Sequence, residues 1–460
     1  MSSTAEQDFS SLDAALAGQA LSPGDDGWDE ARLAWNLAVD QHPAAVVFAE
    51  GPDDVAHAVR YAAENGLRAA AQGTGHAAAM HQTLDDTILV KTARMTGVEI
   101  DAEGRVARVQ AGALSGDVAA AAGEHGLAPL LGSSPDVGVT GFTVGGGLGW
   151  LGREFGFACN SVLAADVVNG AGELVRADAE TNAELFWAIR GGGGSFGIVT
   201  ALELALYPIG PLYAGDVMFD VEHAPAVLAA YRDWARQAPR EVTSSVRFLT
   251  PPPIPDVPEP IRGRPMVTVT AAFHGDPAEG ERLLAPLREL ATPVVDMYGE
   301  QPPAALVRIH GDPEQPVPGI TGGAMLRELD DEAIDMLVRI AGKDSGSPLL
   351  QVDLRHLGGA LADKADGAGA LGALEGEFAV SAVGVPMGPV TPEAVHGALQ
   401  DLADAVEPWS TGLSYLNFTE KPSDASSAFS DEDYARLRAV KADLDPDRVI
   451  RGGQEIEPAG

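Results

Sequence analysis

Glycine-rich loops interrupt about the first 200 residues of the chain, and they constrain its fold more than any other feature. The first loop lies in RAAAQGTGHAAAM, residues 68–80, where a Gly-Thr-Gly turn presents His76 among alanines. Further glycines cluster in GSSPDVGVTGFTVGGGLGWLGREFG, residues 132–156, and in RGGGGSFG, residues 190–197. Small residues let a bulky partner approach the backbone closely, which indicates a ligand-binding surface. The alternative is that these loops are only tight turns.

Two segments match the G-x-G-x-x-G pattern, namely Gly147–Gly152 and Gly192–Gly197. A Rossmann site needs a hydrophobic strand before this pattern and an amphipathic helix after it. The first match follows glycine-broken sequence, and the second leads into a strand-like run, IVTALELAL. We therefore predict no Rossmann site, and the absence of a Walker lysine argues against a nucleoside triphosphatase.

Composition excludes several other classes of protein. A length of 460 residues predicts two domains, and a formal net charge of −37 disfavours nucleic acid as a partner. The N-terminus has no signal-peptide pattern and no apolar run is long enough to span a membrane, so we expect a cytoplasmic protein with no membrane partner. A single cysteine, Cys159, and the histidine spacing predict neither a disulfide nor a metal site.

Hydrophobic periodicity predicts an α+β chain. Residues 43–75 are typical of a strand–helix–strand unit, with Asp53 or Asp54 as the helix N-cap. The glycine-rich segment 132–156 predicts neither regular helix nor strand. After Pro208 we predict strands at 214–221, 244–250, 266–273 and 349–357, alternating with helices around 223–237, 277–291, 331–341 and 392–406. The predicted division is a first domain, residues 1–210, a second α+β domain, 211–410, and a C-terminal return, 411–460.

Four motifs occur in the same order as in a known family. They are RAAAQGTGHA, the 132–156 segment, LFWAIRGGGGSFGIVT, and YLNF followed by VKADLDPDRVI. With these motifs the chain resembles the berberine-bridge-enzyme-like flavoproteins of the vanillyl-alcohol-oxidase superfamily, in the bacterial branch with 6-hydroxy-D-nicotine oxidase and aclacinomycin oxidoreductase. The resemblance runs from about Trp35 to the C-terminus. It implies a two-part, PCMH-type FAD-binding domain and a substrate domain whose antiparallel sheet roofs the flavin.

The resemblance also implies how the flavin is held. His76 occupies the position that bonds covalently to the 8α carbon of FAD, and a neutral imidazole is a suitable nucleophile. Ser134 stands where many relatives have a second linking cysteine, so we expect a single attachment. The remaining cofactor-binding residues implied by the resemblance are Gly73, Thr74, Gly75, Ala77, Pro135, Val137, Gly138, Val139, Gly141, Gly145, Gly146, Val199 and Asn417.

The reaction that the resemblance implies moves hydride from a C–H next to oxygen or nitrogen of a small molecule to the flavin, which dioxygen then re-oxidises. Tyr415 is the first candidate for the base, helped by a cation such as Arg355, and an aromatic wall is its alternative role. Asp353, Arg355 and His356 are secondary candidates, with His356 as a packed strand residue the alternative. A dehydrogenase with another electron acceptor and a flavin-binding protein without turnover remain open.

Overall fold

The computed structural model describes residues 8–81, 83–420 and 425–460. The strands of the first half, in chain order, are β1 (Gln19–Leu21), β2 (Ala45–Phe48), β3 (Arg68–Gln72), β4 (Thr87–Lys91), β5 (Val98–Asp101), β6 (Val106–Gln110), β7 (Leu127–Ala128), β8 (Val162–Val168), β9 (Leu174–Asp178), β10 (Ile198–Ala205) and β11 (Tyr207–Pro208). Those of the second half are β12 (Leu212–Asp220), β13 (Val242–Leu249), β14 (Met266–His274), β15 (Val295–Asp296), β16 (Gly299–Gln301), β17 (Ile320–Leu326), β18 (Leu349–His356) and β19 (Phe378–Gly384).

The helices lie between and beside these strands. They are α1 (Ser10–Asp13), α2 (Trp28–Ala31), α3 (Pro52–Glu64), α4 (Ser115–Gly123), α5 (Val139–Val144), α6 (Gly152–Phe155), α7 (Ala183–Ile189), α8 (Ala224–Ala235), α9 (Pro277–Arg288), α10 (Asp331–Ala341), α11 (Pro392–Val406) and α12 (Asp431–Leu444). Among the residues described, none of these helices has the length and apolar character to cross a membrane.

Two sheets and a short ribbon form the first half. The smaller sheet has the order β1-β2-β4-β3, in which β4 runs parallel to both β2 and β3. The other sheet has the antiparallel order β5-β6-β10-β8-β9, and β7 pairs with β11. Helix α3 joins β2 to β3, as expected for a parallel pair, which needs a long crossover connection. This unit places the glycine turn after β3 at the carboxyl end of a buried strand.

The second half forms one antiparallel sheet of order β15-β12-β14-β13-β18-β19-β17, with β16 also paired to β12. Its helices α8, α9, α10 and α11 pack on one face, where alternate strand residues such as Val246, Val269 and Leu354 form an apolar core. Because side chains alternate along a strand, the residues between these face the opposite side. The α+β class predicted from the sequence is confirmed.

Two local predictions were wrong. The N-cap of α3 is Gly51, and Asp54 lies inside the first turn. The carboxylate of Asp54 instead accepts backbone N–H groups of Ala17, Gly18 and Glu50, so it anchors the preceding segment. The 132–156 segment, predicted to lack regular structure, contains the short helices α5 and α6. These helices form although glycine disfavours a helix interior, which shows that tertiary contacts override local propensity here.

The last helix and the chain end pack against the first half of the molecule. Leu437 and Val440 of α12 lie in the same apolar core as Val167 and Leu202. The Lys441 ammonium, fully buried, donates to the Asp445 carboxylate at 2.6 Å and to the carbonyls of Ser195 and Ile450. Asp445 also accepts the N–H groups of Val449 and Ile450. This arrangement holds residues 449–451 against β3, through Ala69. The proposed boundaries near 210 and 410 stay a prediction.

We expect Lys441→Met to lower the stability of the protein by about 3–5 kcal/mol, because the substitution leaves a buried carboxylate without its cation. The measurement is the shift of the urea unfolding midpoint. Lys364→Met is the matched control, since the Lys364 ammonium lies 3.3 Å from Asp433 on an exposed surface. Exposed pairs contribute about 0–1 kcal/mol. Equal shifts for the two variants would contradict this interpretation.

Candidate active site

The turn after β3 is shaped by Gly75, whose φ of +92° favours glycine. A Cβ atom at Gly75 would also stand 2.9 Å from the side chain of Ala34, so a larger residue is excluded sterically as well. The backbone N–H of Trp35 donates to the Thr74 carbonyl at 3.0 Å, which places the 33–36 segment over the turn. These contacts fix the direction in which His76 leaves the backbone.

The imidazole of His76 lies in a compact polar and aromatic setting. Its ring stacks on the indole of Trp35, with centroids 4.0 Å apart and planes 19° from parallel. Nδ1 is 2.7 Å from the Thr74 hydroxyl, whereas Nε2 has no hydrogen-bond partner among the described residues and lies 3.7 Å from the Asp136 carboxylate. Burial lowers the pKa of His76 to about 4, against the opposing attraction of Asp136 and Asp312. The ring is therefore neutral near pH 7.

The second glycine loop lies beside this turn. The Ser134 hydroxyl donates to the Asp136 carboxylate at 2.7 Å, and the Trp35 indole N–H donates to the other oxygen at 2.5 Å. The Val137 carbonyl accepts the N–H of Ser115, and Gly138 forms a bridge with Leu114. A Cβ at Gly138 would be only 3.8 Å from the Thr74 side chain. The structure thus brings together the 73–77 turn and the 134–139 loop.

A third group of predicted residues lies at the end of α5. A Cβ at Gly145 would overlap the Asn417 side chain, whose amide donates to the Phe142 carbonyl at 2.8 Å. Gly146 has a φ of +124°, and a Cβ there would stand 2.9 Å from the Tyr415 ring. Both positions therefore require glycine for the 415–417 segment to approach.

The other predicted cofactor residues have different surroundings. Pro135 is buried and Ala77 is exposed. Gly141 is exposed on α5, and a Cβ there would meet nothing within 4 Å. Val139 and Val199 lie in the apolar core below the loops, where β10, the strand of Val199, packs against α5.

These features fit a dinucleotide that carries a flat ring system. Buried polar atoms that no described residue satisfies include His76 Nε2, Thr140 Oγ1, Thr143 Oγ1 and the Tyr415 hydroxyl. Such atoms are uncommon in folded proteins and call for a partner. A Cβ at Gly138 would meet only Thr74, at ordinary contact distance, and one at Gly141 would meet nothing within 4 Å, so the backbone at both positions is open to a ligand. The turn, the loop and the 415–417 segment are therefore suited to hold the flavin and phosphates of FAD.

Tyr415 lies 3% exposed against the rings of Phe157 and Phe418. Burial raises the pKa of its phenol well above the usual value, although the backbone amides of Gly147 and Leu148 and the Arg355 cation act in the opposite direction. Arg355 acts in the direction expected of a neighbouring cation, but desolvation outweighs its charge, so the pKa of Tyr415 rises overall.

The inner face of the large sheet is strongly polar. Alternate residues on its central strands turn toward the first half of the molecule, and cross-strand pairs place Arg247 opposite Asp353 and Ser245 opposite Arg355. Several buried residues on or beside these strands have a polar atom that no described residue satisfies. They are Asp216, Ser245, Arg247, Thr268, Thr270, His310, Asp353 and Arg355. This face, which we call the polar face, is suited to bind a ligand with several hydrogen-bonding groups.

Charged side chains on the polar face lie close to one another. The Arg355 guanidinium is 3.4 Å from the Asp353 carboxylate and lies over the indole of Trp150, 4.4 Å from its centroid. His310 Nε2 approaches the other Asp353 oxygen at 3.8 Å. Burial alone would raise the pKa of Asp353, but Arg355, His310 and Arg247 outweigh it and lower that pKa to about 2. Asp353 is consequently ionised at neutral pH and is a weak base.

His356 does not join this group. It occupies the next position on β18 after Arg355, so its side chain turns to the other face, 5.7 Å from the ring of Phe378. There it lines a groove of about 580 Å³ together with Arg153 and Arg236. Burial lowers the pKa of His356 to about 3, so it is a neutral residue behind the sheet. The structure thus brings Asp353 and Arg355 together and places His356 away from them.

Several residues of the site were not identified from the sequence. Trp35 and Asp136 contact His76, while Arg247 and His310 contribute to the polar face. Asp136 lies within the glycine loop itself, and this position was its only signal. Arg247 and His310 come from segments without a motif, and only the packing of the two halves reveals them.

Comparisons with known proteins agree with this geometry. Residues 43–178 match the model of a family described as FAD binding domain. Over 458 residues the chain is 28% identical to (R)-6-hydroxynicotine oxidase of Paenarthrobacter nicotinovorans, covering 97% of this chain and 98% of that protein. The chain is an enzyme, an FAD-linked oxidoreductase. The resemblance stated from the sequence motifs is thereby confirmed.

Two further relatives extend the comparison. This oxidoreductase is 33% identical to glucooligosaccharide oxidase of Sarocladium strictum over 225 residues, which cover 47% of this chain and 45% of that protein. Its fold matches a solved structure of BBE-like 1 from Physcomitrella patens with a TM-score of 0.86 and 20% identity, covering 99% of this chain and all of that one. The predicted PCMH-type fold is confirmed.

The thiol of this oxidoreductase provides a test of the register across the glycine loops. Cys159 is fully buried, and burial raises its pKa to about 12. Because the thiolate is the reactive form, we expect no reaction with a colorimetric thiol reagent at pH 8 until the protein is denatured. Cys159→Ser should leave flavin retention unchanged. Rapid labelling of the folded protein, or flavin loss in this variant, would contradict the assignment.

Proposed function

We propose that this oxidoreductase removes hydride from a C–H next to oxygen or nitrogen of a small organic molecule, with FAD attached covalently through His76 alone and re-oxidised by dioxygen. The observation that carries the proposal is the neutral, partly buried imidazole of His76 beside two glycine-rich loops. FAD, when bound, accepts the hydride and passes the electrons on. A cytoplasmic location belongs to the same proposal.

The neighbouring residues support a single attachment. A neutral imidazole has a lone pair available near pH 7, and the small residues around His76 admit a ring system to it. The Ser134 hydroxyl is engaged by Asp136 and is not a thiolate nucleophile. The buried Cys159 thiol contacts the Leu371 carbonyl, 3.8 Å away, and is engaged there.

The proton and the substrate are handled by different groups in this proposal. Tyr415 accepts the substrate proton in its phenolate form, which is scarce at neutral pH because burial raises the pKa of the phenol. The amides of Gly147 and Leu148 and the Arg355 guanidinium favour negative charge on its oxygen. Asp353, ionised and held by Arg355, accepts a hydrogen bond from the substrate and orients it rather than acting as the base.

The polar face favours one kind of substrate for the first tests. Several unsatisfied hydroxyl, carboxylate and guanidinium groups line it, which suits a molecule with many hydroxyl groups. The names of two relatives point to different substrates, a hydroxynicotine and an oligosaccharide. We therefore place sugars first, then amines and aromatic alcohols, in a screen for bleaching of the flavin under anaerobic conditions. Re-oxidation in air separates an oxidase from a dehydrogenase, and a lack of bleaching by all compounds favours a protein without turnover.

Substitution of His76 tests the attachment. The wild-type protein should keep its yellow colour in the pellet after acid precipitation, whereas His76→Ala should release all flavin into the supernatant. His125→Ala is the matched control, because His125 is exposed beyond the end of α4. Release of flavin by the wild type would restrict the proposal to non-covalent FAD.

Substitution of Tyr415 tests the base. Tyr415→Phe removes only the hydroxyl, so the flavin should stay attached while anaerobic flavin reduction slows by about two to four orders of magnitude. Substrate binding should change less, since the lost contact matters mainly in the transition state. Tyr231→Phe is the control, because Tyr231 is equally buried but lies in the core behind the sheet. If Tyr415→Phe reduces its flavin within a few-fold of the wild type, Tyr415 is only an aromatic wall.

A further inference from the structure

The Asp136 carboxylate makes three contacts that together point at His76. One oxygen accepts the Ser134 hydroxyl at 2.7 Å, and the other accepts the Trp35 indole N–H at 2.5 Å. The latter oxygen is also the atom 3.7 Å from His76 Nε2. Trp35 stacks on the same imidazole, so one side chain positions both the carboxylate and the ring. The carboxylate is therefore held beside one particular nitrogen of the histidine.

We propose that Asp136 is the base that activates His76 for flavin attachment, and that Nδ1 is the nitrogen that bonds to the flavin. This inference rests on the covalent attachment proposed above. Trp35 and Ser134 act through Asp136 and are positioning residues.

The tautomer of His76 follows from its neighbours. A neutral imidazole has one N–H and one lone pair, and an ionised carboxylate can only accept a hydrogen bond. At 3.7 Å from Nε2 the Asp136 carboxylate makes no direct hydrogen bond, but its negative charge favours the N–H on Nε2 and the lone pair on Nδ1. The Thr74 hydroxyl, 2.7 Å from Nδ1, can donate to that lone pair and keep the ring in this orientation until FAD binds. A carboxylate that orients one imidazole nitrogen while the other one reacts is a common arrangement in nucleophilic catalysis.

Attachment by this route forms one C–N bond and releases two protons and two electrons. The Nδ1 lone pair forms a bond to the 8α carbon, and the 8α methyl group loses one proton. The Nε2 proton passes to Asp136, so the alkylated imidazole ends neutral. The bond formation is a two-electron oxidation of the methyl carbon, and dioxygen takes up the two electrons with two protons to give hydrogen peroxide. Transfer of the proton to Asp136 leaves no positive charge on the imidazole. This matters because burial, which lowers the pKa of His76, disfavours a charged ring at this position.

The test separates binding of FAD from its covalent attachment. The full-length protein is purified, incubated with FAD in air, and assayed for total flavin per chain and for the acid-insoluble fraction, with intact mass as a second readout. Asp136→Asn keeps the shape of the side chain and one acceptor oxygen, which can receive the Trp35 indole N–H while the amide NH2 donates to the Ser134 hydroxyl, but it cannot take a proton. We expect it to bind as much flavin as the wild type, while its attachment rate falls by about 100-fold or more, the usual reach of a general base.

Three further variants sharpen the result. Asp136→Glu keeps the carboxylate and should restore part of the attachment, whereas Trp35→Phe keeps a stacking ring, loses the indole N–H and should attach flavin more slowly. Asp53→Asn makes the same chemical change on the exposed side of α3 and should behave as the wild type. Digestion and fragmentation of the wild-type flavopeptide should locate the link on Nδ1.

The outcomes distinguish this inference from the proposed function. Release of all flavin by the wild type contradicts covalent attachment itself. Attachment by the wild type and equally fast attachment by Asp136→Asn overturns the role of Asp136 alone. If Asp136→Asn and Asp136→Glu both fail to bind FAD, Asp136 serves binding rather than attachment, and the inference is likewise overturned. A link on Nε2 contradicts the proposed tautomer.

Discussion

The buried ion pair of Lys441 and Asp445 holds the C-terminal segment against the strand that leads to the candidate site. Its donors and acceptors connect α12 with the Ser195 carbonyl and with residues 449–451, which lie along β3. Strand β3 ends at the turn that carries His76. The C-terminal segment thus covers the edge of that strand, which would otherwise present unpaired backbone groups. An ion pair without access to water holds only where its geometry satisfies both charges, as it does here.

The large sheet separates two chemical environments. One face is covered by helices and is apolar, while the other is polar and turned toward the glycine loops. Strand alternation produces this division, and it explains why neighbours in sequence have different roles. Arg355 lies on the polar face over the indole of Trp150, whereas His356 packs behind the sheet against Phe378. A polar face that is buried against another layer carries a high cost unless a ligand or water satisfies it.

Electrostatics in the site is governed by burial as much as by charge. The pKa values of His76 and Tyr415 both shift toward the neutral form because desolvation disfavours their ions. For Asp353 the balance is reversed, since cations surround it closely enough to outweigh its burial. The sequence suggested Arg355 as a cation near Tyr415, but it could not compare the effect of that cation on the pKa of Tyr415 with the effect of desolvation. The direction of each shift depends on distances between segments that are far apart in the chain.

The sequence by itself determined the class of the fold, most of its strands and helices, and the glycine-rich turns around His76. These follow from local rules, namely periodicity, the conformational freedom of glycine and the small size of its neighbours. The helix start at Gly51, the short helices within 132–156 and the side of the sheet taken by His356 depended on packing. Only the tertiary structure decided that Trp35, His76 and Asp136 meet, because the first and last of these are 101 residues apart and no local preference brings them together.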